Sequence, residues 1–121
     1  MGLFSFTKTL CETKELHDDK DLRTRYYKTS YIKAKEQIEV FANKTGLDIT
    51  NVDDTHKEML IQTHKFHAII SIIQVTPVET AVDIKIQTYG LFGMNIPKKT
   101  VLEIYKHLNN SLQFKGISLH P

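Results

Sequence analysis

The chain is poor in the residues that mark exported, membrane-embedded or disulfide-built proteins. It has one cysteine, no tryptophan, three prolines and five glycines among 121 residues. Cys11 alone cannot support an internal disulfide framework, and a lone thiol is compatible with a reducing compartment. No apolar run approaches the length of a membrane span, and the start, MGLFSFTKTL, lacks the charged n-region and long h-region of a secretory signal. We therefore expect a cytoplasmic protein.

The charge balance selects no partner by itself. Sixteen basic and fourteen acidic residues give a formal net charge of +2, which is far from the strongly basic balance of a dedicated nucleic-acid binder. The apolar fraction of 40% and charged fraction of 25% are typical of globular proteins. The length fits one domain with one core.

The chain also lacks the local sequence motifs of common catalytic and nucleotide-binding sites. No nucleophile elbow, P-loop or dinucleotide-binding glycine pattern is present, and Asp53-Asp54 is typical of a turn. Six histidines raise the question of a metal, but His64 and His67 have an odd spacing that places them on opposite faces of a strand. We expect no enzyme activity, no metal site and no cofactor.

The most informative feature present is Phe66 to Val75, FHAIISIIQV, which is apolar on both faces of a predicted strand. Alternate side chains of a strand point to opposite sides, and both sides of this strand carry isoleucine. The following strand, Ala81 to Thr88, is apolar on one side only, because Asp83, Lys85 and Gln87 share the other. Something is expected to cover the second apolar face of the first strand.

The remaining pattern predicts a two-layer α+β domain. A strand at Leu22–Lys28, with Tyr26 inward, leads to a helix capped by Thr29 or Ser30 and ended by Gly46. Four strands joined by tight turns follow as an antiparallel meander, and a long helix begins near Pro97. The predicted order is β-α-β-β-β-β-α, with both helices on one face of the sheet. Residues 1–21 are predicted to be a lead-in, a short helix or a mobile segment, and residues 22–121 to be the domain.

The second apolar face is the candidate interaction surface, formed by Leu60, Ile69, Ile73 and Val75. A patch of this kind commonly marks association. Three covers remain open: the chain's own start through Leu3, Phe4 and Phe6, a second copy in a homodimer, or another protein. The leading hypothesis is a non-enzymatic binding or protein-interaction module.

The predicted topology resembles the TBP-like and helix-grip arrangement, which is also seen in reduced form beside START and Bet v 1 domains. Helix-grip relatives often hold apolar ligands between a curved sheet and the final helix. The resemblance therefore implies, as the alternative function, a carrier of a lipid-like small molecule. The lining that it implies comprises Ile70, Ile72, Ile84, Ile86, Tyr105 and Leu108. The segments MGLF, RTRYYKTSYIKAKE, QVTPVETAVDIKI and FKGISLHP are also similar to small uncharacterised cytosolic proteins of Gram-positive bacteria.

Three further sequence patterns are weaker candidates for binding sites. Gly90 and Gly93 precede a helix whose first turns carry Lys98 and Lys99, a combination that could hold an anion or could simply form a structural loop. The stretch MGLFSF could contact a membrane surface. Arg23, Arg25 and the adjacent tyrosines could stack on nucleic acid if they were exposed, but the mild charge favours tyrosines that enter the core, so nucleic acid is not expected as a partner.

Overall fold

The computed structural model of the protein describes residues 10–89 and 95–120. Within these two ranges, seven strands and two helices follow one another in chain order. They are β1 (Leu10–Glu12), β2 (Arg25–Tyr27), α1 (Tyr31–Thr45), β3 (Ile49–Asp53), β4 (Glu58–Gln62), β5 (Phe66–Thr76), β6 (Glu79–Thr88), α2 (Asn95–Ser111) and β7 (Phe114–Ile117). A single 3-10 turn, Lys20–Leu22, lies between β1 and β2.

The strands form one antiparallel sheet in the order β3-β4-β5-β6-β2-β7. β5 and β6 make a long hairpin, in which Phe66 lies opposite Thr88 and Ile73 lies opposite Ala81. The other edge of β6 is shared by two short strands, since β1 lies opposite Lys85–Gln87 and β2 lies opposite Thr80–Val82. The predicted α+β class, with its central order of strands and helices, is confirmed.

The local signals at α1 act as predicted. The Ser30 hydroxyl accepts a hydrogen bond from the Lys33 amide, which satisfies one of the free donors of the first turn. Gly46 ends the helix in the left-handed region at φ 74°, and its amide donates to the Ala42 carbonyl. Glycine adopts this conformation without a steric penalty. The interval between these two caps therefore determines the length of the helix.

The core lies between one face of the sheet, here called the inner face, and the two helices. It contains the alternate residues of β5 and β6 that the sequence pattern assigned to one side, together with one stripe of each helix. Its principal members are Ile38, Phe41, Met59, Ile61, Ala68, Ile70, Ile72, Val82, Ile84, Ile86, Val101, Ile104, Tyr105 and Leu108. Burial of these side chains supplies the main driving force for folding.

The inward tyrosine of β2 is Tyr27, so the prediction for Tyr26 is wrong. Tyr27 is part of the core. Tyr26 pairs with Ala81 of β6, a position that alternates with the core residue Val82, and it therefore faces the opposite side of the sheet, here called the outer face. The sequence does not indicate which of the two adjacent tyrosines points inward, because the residues two positions before and after each of them are polar.

Residues 10–21 belong to the domain, which corrects the expectation of a lead-in up to residue 21. Leu10–Glu12 is a strand of the sheet, and Cys11 packs against the core. β7 is a second strand that the sequence pattern did not reveal, and it pairs with β2. Both strands are too short to show a clear alternation, so only their pairing with other strands of the sheet identifies them.

We predict that Thr13→Val lowers the free energy of unfolding by about 1–3 kcal/mol, although threonine and valine have the same shape. The Thr13 hydroxyl donates to Asp83 Oδ1 at 2.6 Å and accepts from the Ile84 amide at 2.9 Å. Valine removes the acceptor of the Ile84 amide and one of the two hydroxyl donors to Asp83 Oδ1. Urea unfolding followed by circular dichroism measures the change.

Thr50→Val is the matched control, since Thr50 is an exposed residue of the edge strand β3. We expect the control to change stability by less than about 0.5 kcal/mol. Equal losses in the two variants would show that residues 10–21 do not contribute to the folded domain.

Candidate functional site on the outer sheet face

The outer face carries the apolar side chains that the sequence pattern left uncovered. Leu60 of β4 lies directly opposite Ile69 of β5, and both are half-buried. Ile73 is 49% exposed and Val75 is 39% exposed, further along β5. The structure thus places all four predicted residues on two neighbouring strands and exposes the two that lie nearest the β5–β6 turn.

The turn itself adds an apolar residue that the sequence analysis did not include. Val78, between Pro77 and Glu79, is 61% exposed. Ile73, Val75 and Val78 therefore form an exposed apolar end of the β5–β6 hairpin, here called the hairpin patch. A valine after a proline in a turn was the available signal, but a turn residue belongs to neither face of a strand and so escapes an analysis of alternation.

The polar side of β6 is organised around Asp83, which is partly buried between β1 and β2. The two strands leave a gap along β6, and one carboxylate oxygen, Oδ1, accepts from the hydroxyl groups of Thr13 at 2.6 Å and Thr24 at 2.7 Å. Burial raises the pKa of Asp83, and the hydrogen bonds from the two threonines oppose that shift. The carboxylate therefore fastens β1 and β2 to the strand that they share.

The outer face over β2 and β7 is closed by polar contacts. Tyr26 is only 3% exposed, its hydroxyl donates to Glu15, and the edge of the His120 ring meets its own ring at 5.2 Å between centroids. Desolvation, followed by the hydrogen bond to Glu15, raises the pKa of Tyr26. This tyrosine is a covered residue of the outer face and does not form part of an open site.

Glu79 anchors the chain's C-terminal residues to the same region. Its carboxylate accepts from Lys115 and pairs with His120, whose Nε2 lies 3.0 Å from Oε2. The hydrogen bonds from Lys115 and then His120 lower the pKa of Glu79. The outer face thus has a covered half over β2 and β7 and an open half over β4 and β5.

The cover proposed from Leu3, Phe4 and Phe6 lies outside the described residues. Within residues 10–89 and 95–120, the parts of the chain that reach the outer face are the segment 13–24 and the tail after β7. The sequence analysis assigned residues up to 21 to a lead-in and predicted no element after the final helix. Neither segment is strongly apolar, so nothing in the sequence indicated that either of them covers the outer face of the sheet.

The residues implied as a ligand lining are all part of the packed core. Ile70, Ile72, Ile84, Ile86, Tyr105 and Leu108 belong to one cluster of buried residues. The Tyr105 hydroxyl also donates to the Val82 carbonyl at 2.8 Å. One surface depression, of about 450 Å³, lies between the C-terminal halves of α1 and α2 and is lined by Phe41, Lys44, Thr45, Glu103, Lys106, His107, Asn110 and Ser111.

The proposed anion site is only partly described. Gly90 and Gly93 lie outside the described residues. Lys98 is engaged with carboxylates, at 2.7 Å from Asp19 Oδ2 and 3.7 Å from Asp21 Oδ2, whereas Lys99 is exposed. Its pairing with Asp19 raises the pKa of Lys98. One of the two cations is thus already neutralised by the loop between β1 and β2.

The histidines of the described ranges contact different partners. His56 pairs with Asp53, His67 with Tyr89, and His107 with Gln37. Within residues 10–89 and 95–120, no group of three or more potential metal ligands converges. The hydrogen bond and charge of Asp53 raise the pKa of His56, which reflects a turn contact and not a site.

The arginine–tyrosine stretch of β2 is directed into the protein. The Arg25 guanidinium lies 4.6 Å from the centre of the Tyr105 ring, an arrangement that cation–π attraction favours. Tyr26 and Tyr27 are both buried. The tyrosines therefore present no exposed ring on which a nucleic-acid base could stack.

Among the residues described, no helix combines the length and the apolar character needed to cross a bilayer. Comparison of the chain with protein-family models, curated proteins and solved structures finds no match. The resemblances to helix-grip domains and to small proteins of Gram-positive bacteria therefore stay predictions. The case for a function depends on the outer face itself.

Substitution of Asp83 is expected to separate its charge from its hydrogen bonds. Because the folded pKa is raised, the contribution of Asp83 to stability is present below its unfolded pKa of about 3.9 and is lost as the pH rises through the folded value. Asp83→Asn keeps the accepting oxygen and does not titrate. Relative to the wild type, this variant should become more stable as the pH rises above about 4.

Asp83→Ala is the matched variant, since it also removes the acceptor of Thr13 and Thr24. We expect it to be about 1–3 kcal/mol less stable than Asp83→Asn at neutral pH. Urea unfolding at several pH values gives both comparisons. If the two variants are equally stable at neutral pH, the hydroxyl bonds to Asp83 do not hold the strands together.

Proposed function

We propose that the protein is a non-enzymatic protein-interaction module that binds its partner through the open half of the outer sheet face. The observation that carries this proposal is the hairpin patch, in which Ile73 and Val75 of β5 and Val78 of the turn are all exposed at one end of the β5–β6 hairpin. Singly exposed apolar residues are normal, but contiguous ones commonly mark an interaction surface. Leu60 and Ile69 extend the patch along the sheet.

The shape of this surface favours a protein partner over a small ligand. Small molecules bind in concave sites that enclose most of their surface, whereas the patch occupies two strands and a turn on the outside of a sheet. The space between sheet and helices contains Ile70, Ile84 and Tyr105 as closely packed core residues. The apolar-ligand hypothesis therefore receives less support from this arrangement.

A cytoplasmic location and the absence of catalysis are parts of the same proposal. Cys11 is a free cysteine, which is compatible with a reducing compartment. The carboxylates of Asp83 and Glu79 accept hydrogen bonds from neighbouring side chains. Their contacts fasten strands and the tail, so they serve a structural purpose.

We predict that the triple variant Ile73→Thr, Val75→Thr, Val78→Thr loses partner binding by at least about tenfold while it keeps its fold. Threonine keeps the β-branched shape that suits a strand but removes the apolar surface. A photo-reactive residue at position 78, introduced into native cells, would capture the partner. Titration of the purified partner then gives the affinities, and sedimentation shows whether a second copy is the partner.

The control for this experiment removes equally exposed apolar groups from the helix layer. Ile32→Thr with Val40→Thr changes two exposed residues of α1. We expect partner binding by the control to equal that of the wild type. Equal binding by the triple variant and the wild type would contradict the proposed function.

A further inference from the structure

Four residues in register form a row across the outer face. Ile73 lies opposite Ala81, Ala81 lies opposite Tyr26, and Tyr26 lies opposite Gly116. The row starts at the hairpin patch and ends on the edge strand β7. Ile73 is open to solvent, whereas Tyr26 and Ala81 are buried.

The closed end of the row is covered by the chain's own tail, residues Ser118–His120. After β7 the backbone reverses at Ser118, which adopts φ 53°. The Ser118 amide donates to the Thr24 carbonyl at 2.9 Å, and its hydroxyl donates to the Glu15 carbonyl. The tail is thereby directed back over the sheet that β7 has just joined.

Each of the last two described residues of the tail occupies a separate position on the row. Leu119 lies so close to Gly116 that a Cβ at position 116 would be 2.8 Å from Leu119 Cδ2. His120 places its ring edge on Tyr26 and its Nε2 3.0 Å from Glu79 Oε2. The row thus accepts a branched apolar side chain, an aromatic ring and a hydrogen-bond donor to a carboxylate.

The tail is held by contacts that allow another segment to take its place. Leu119 remains 38% exposed, and the His120 side chain remains 56% exposed. The His120 end of the ion pair with Glu79 is open to solvent, although the Glu79 side chain is only 9% exposed, and a left-handed φ is unfavourable for serine. None of the tail residues belongs to the core between sheet and helices.

We propose that the tail Ser118–His120 is a built-in occupant of a binding row, and that a partner displaces it to extend the interaction face from Ile73 to Gly116. The partner segment presents an apolar side chain next to an imidazole or cationic group, because the tail already fills the row with that chemistry. This inference rests on the proposed function for the identity of the face. To that proposal it adds the chemistry of the segment that the covered half of the face would bind.

The first experiment uncovers the row directly. A chain ended after Ile117 keeps β7 but lacks the tail, and Gly116→Ala in the full chain pushes Leu119 from its position. We expect both variants to unfold cooperatively and to bind a hydrophobic dye severalfold more than the wild type. Tyrosine fluorescence quenching by acrylamide should also increase, since Tyr26 becomes accessible.

The second experiment refills the row with a synthetic peptide of residues 117–121. Added to the shortened chain, the peptide should shift the NMR signals of Tyr26 and Ala81 and reduce dye binding. A matched peptide with Leu119→Ser and His120→Ala should do neither. These readouts require no natural partner.

The outcomes separate this inference from the proposed function. If the shortened chain unfolds, or binds no more dye and no peptide, the tail is a fixed part of the fold and the inference is overturned. If the peptide and the dye bind as expected while the triple variant of the hairpin patch binds its partner normally, the results support the binding row and contradict the proposed function.

Discussion

The arrangement of partners around β6 is the constraint on which the rest of the structure depends. One edge of this strand pairs with β5 along its whole length, but the other edge is divided between β1 and β2. At the division, Ile84 exchanges hydrogen bonds with Thr13, and the Val82 carbonyl accepts from Tyr105. The side chains of Thr13 and Tyr105 thus supply hydrogen bonds to backbone groups of β6 at this division.

This division also separates the two halves of the outer face. The chain leaves the sheet after β1 and returns at β2, and the segment between them brings Glu15 over Tyr26. β7 then adds to β2, and the tail closes the same side. The strands β4 and β5 receive no such cover from the described residues, so the apolar surplus of β5 stays open at Ile73 and Val75. The functional proposal follows from this unequal cover.

Long and strongly periodic elements could be predicted from the sequence because local physics is sufficient to specify them. Ser30 and Gly46 mark α1 through hydrogen bonds within a few residues of each other. The alternation in β5 predicts correctly which isoleucines are buried, since Ile70 and Ile72 are inside and Ile73 is outside. The second apolar face of β5 could be predicted for the same reason, because it departs from the one-sided pattern of its neighbour β6.

The short elements could not be predicted because their conformation depends on distant residues. β1 is a strand only because β6 offers it an edge, and Thr13 matters only because its hydroxyl reaches the Asp83 carboxylate and the Ile84 amide. The pairing of Tyr26 with Ala81 places Tyr26 on the outer face and Tyr27 in the core, which is the reverse of the predicted arrangement. These contacts join residues far apart in the chain, where no local propensity acts.

The sequence by itself determined the two helices, the four-strand meander and the second apolar face of β5, since each follows from side-chain periodicity and local caps. Only the tertiary structure decided which part of that outer face is covered. The cover consists of polar segments whose side chains reach Tyr26 and Glu79 through single hydrogen bonds and one close approach to Gly116. Such contacts depend on three-dimensional register and leave no periodic trace in the sequence.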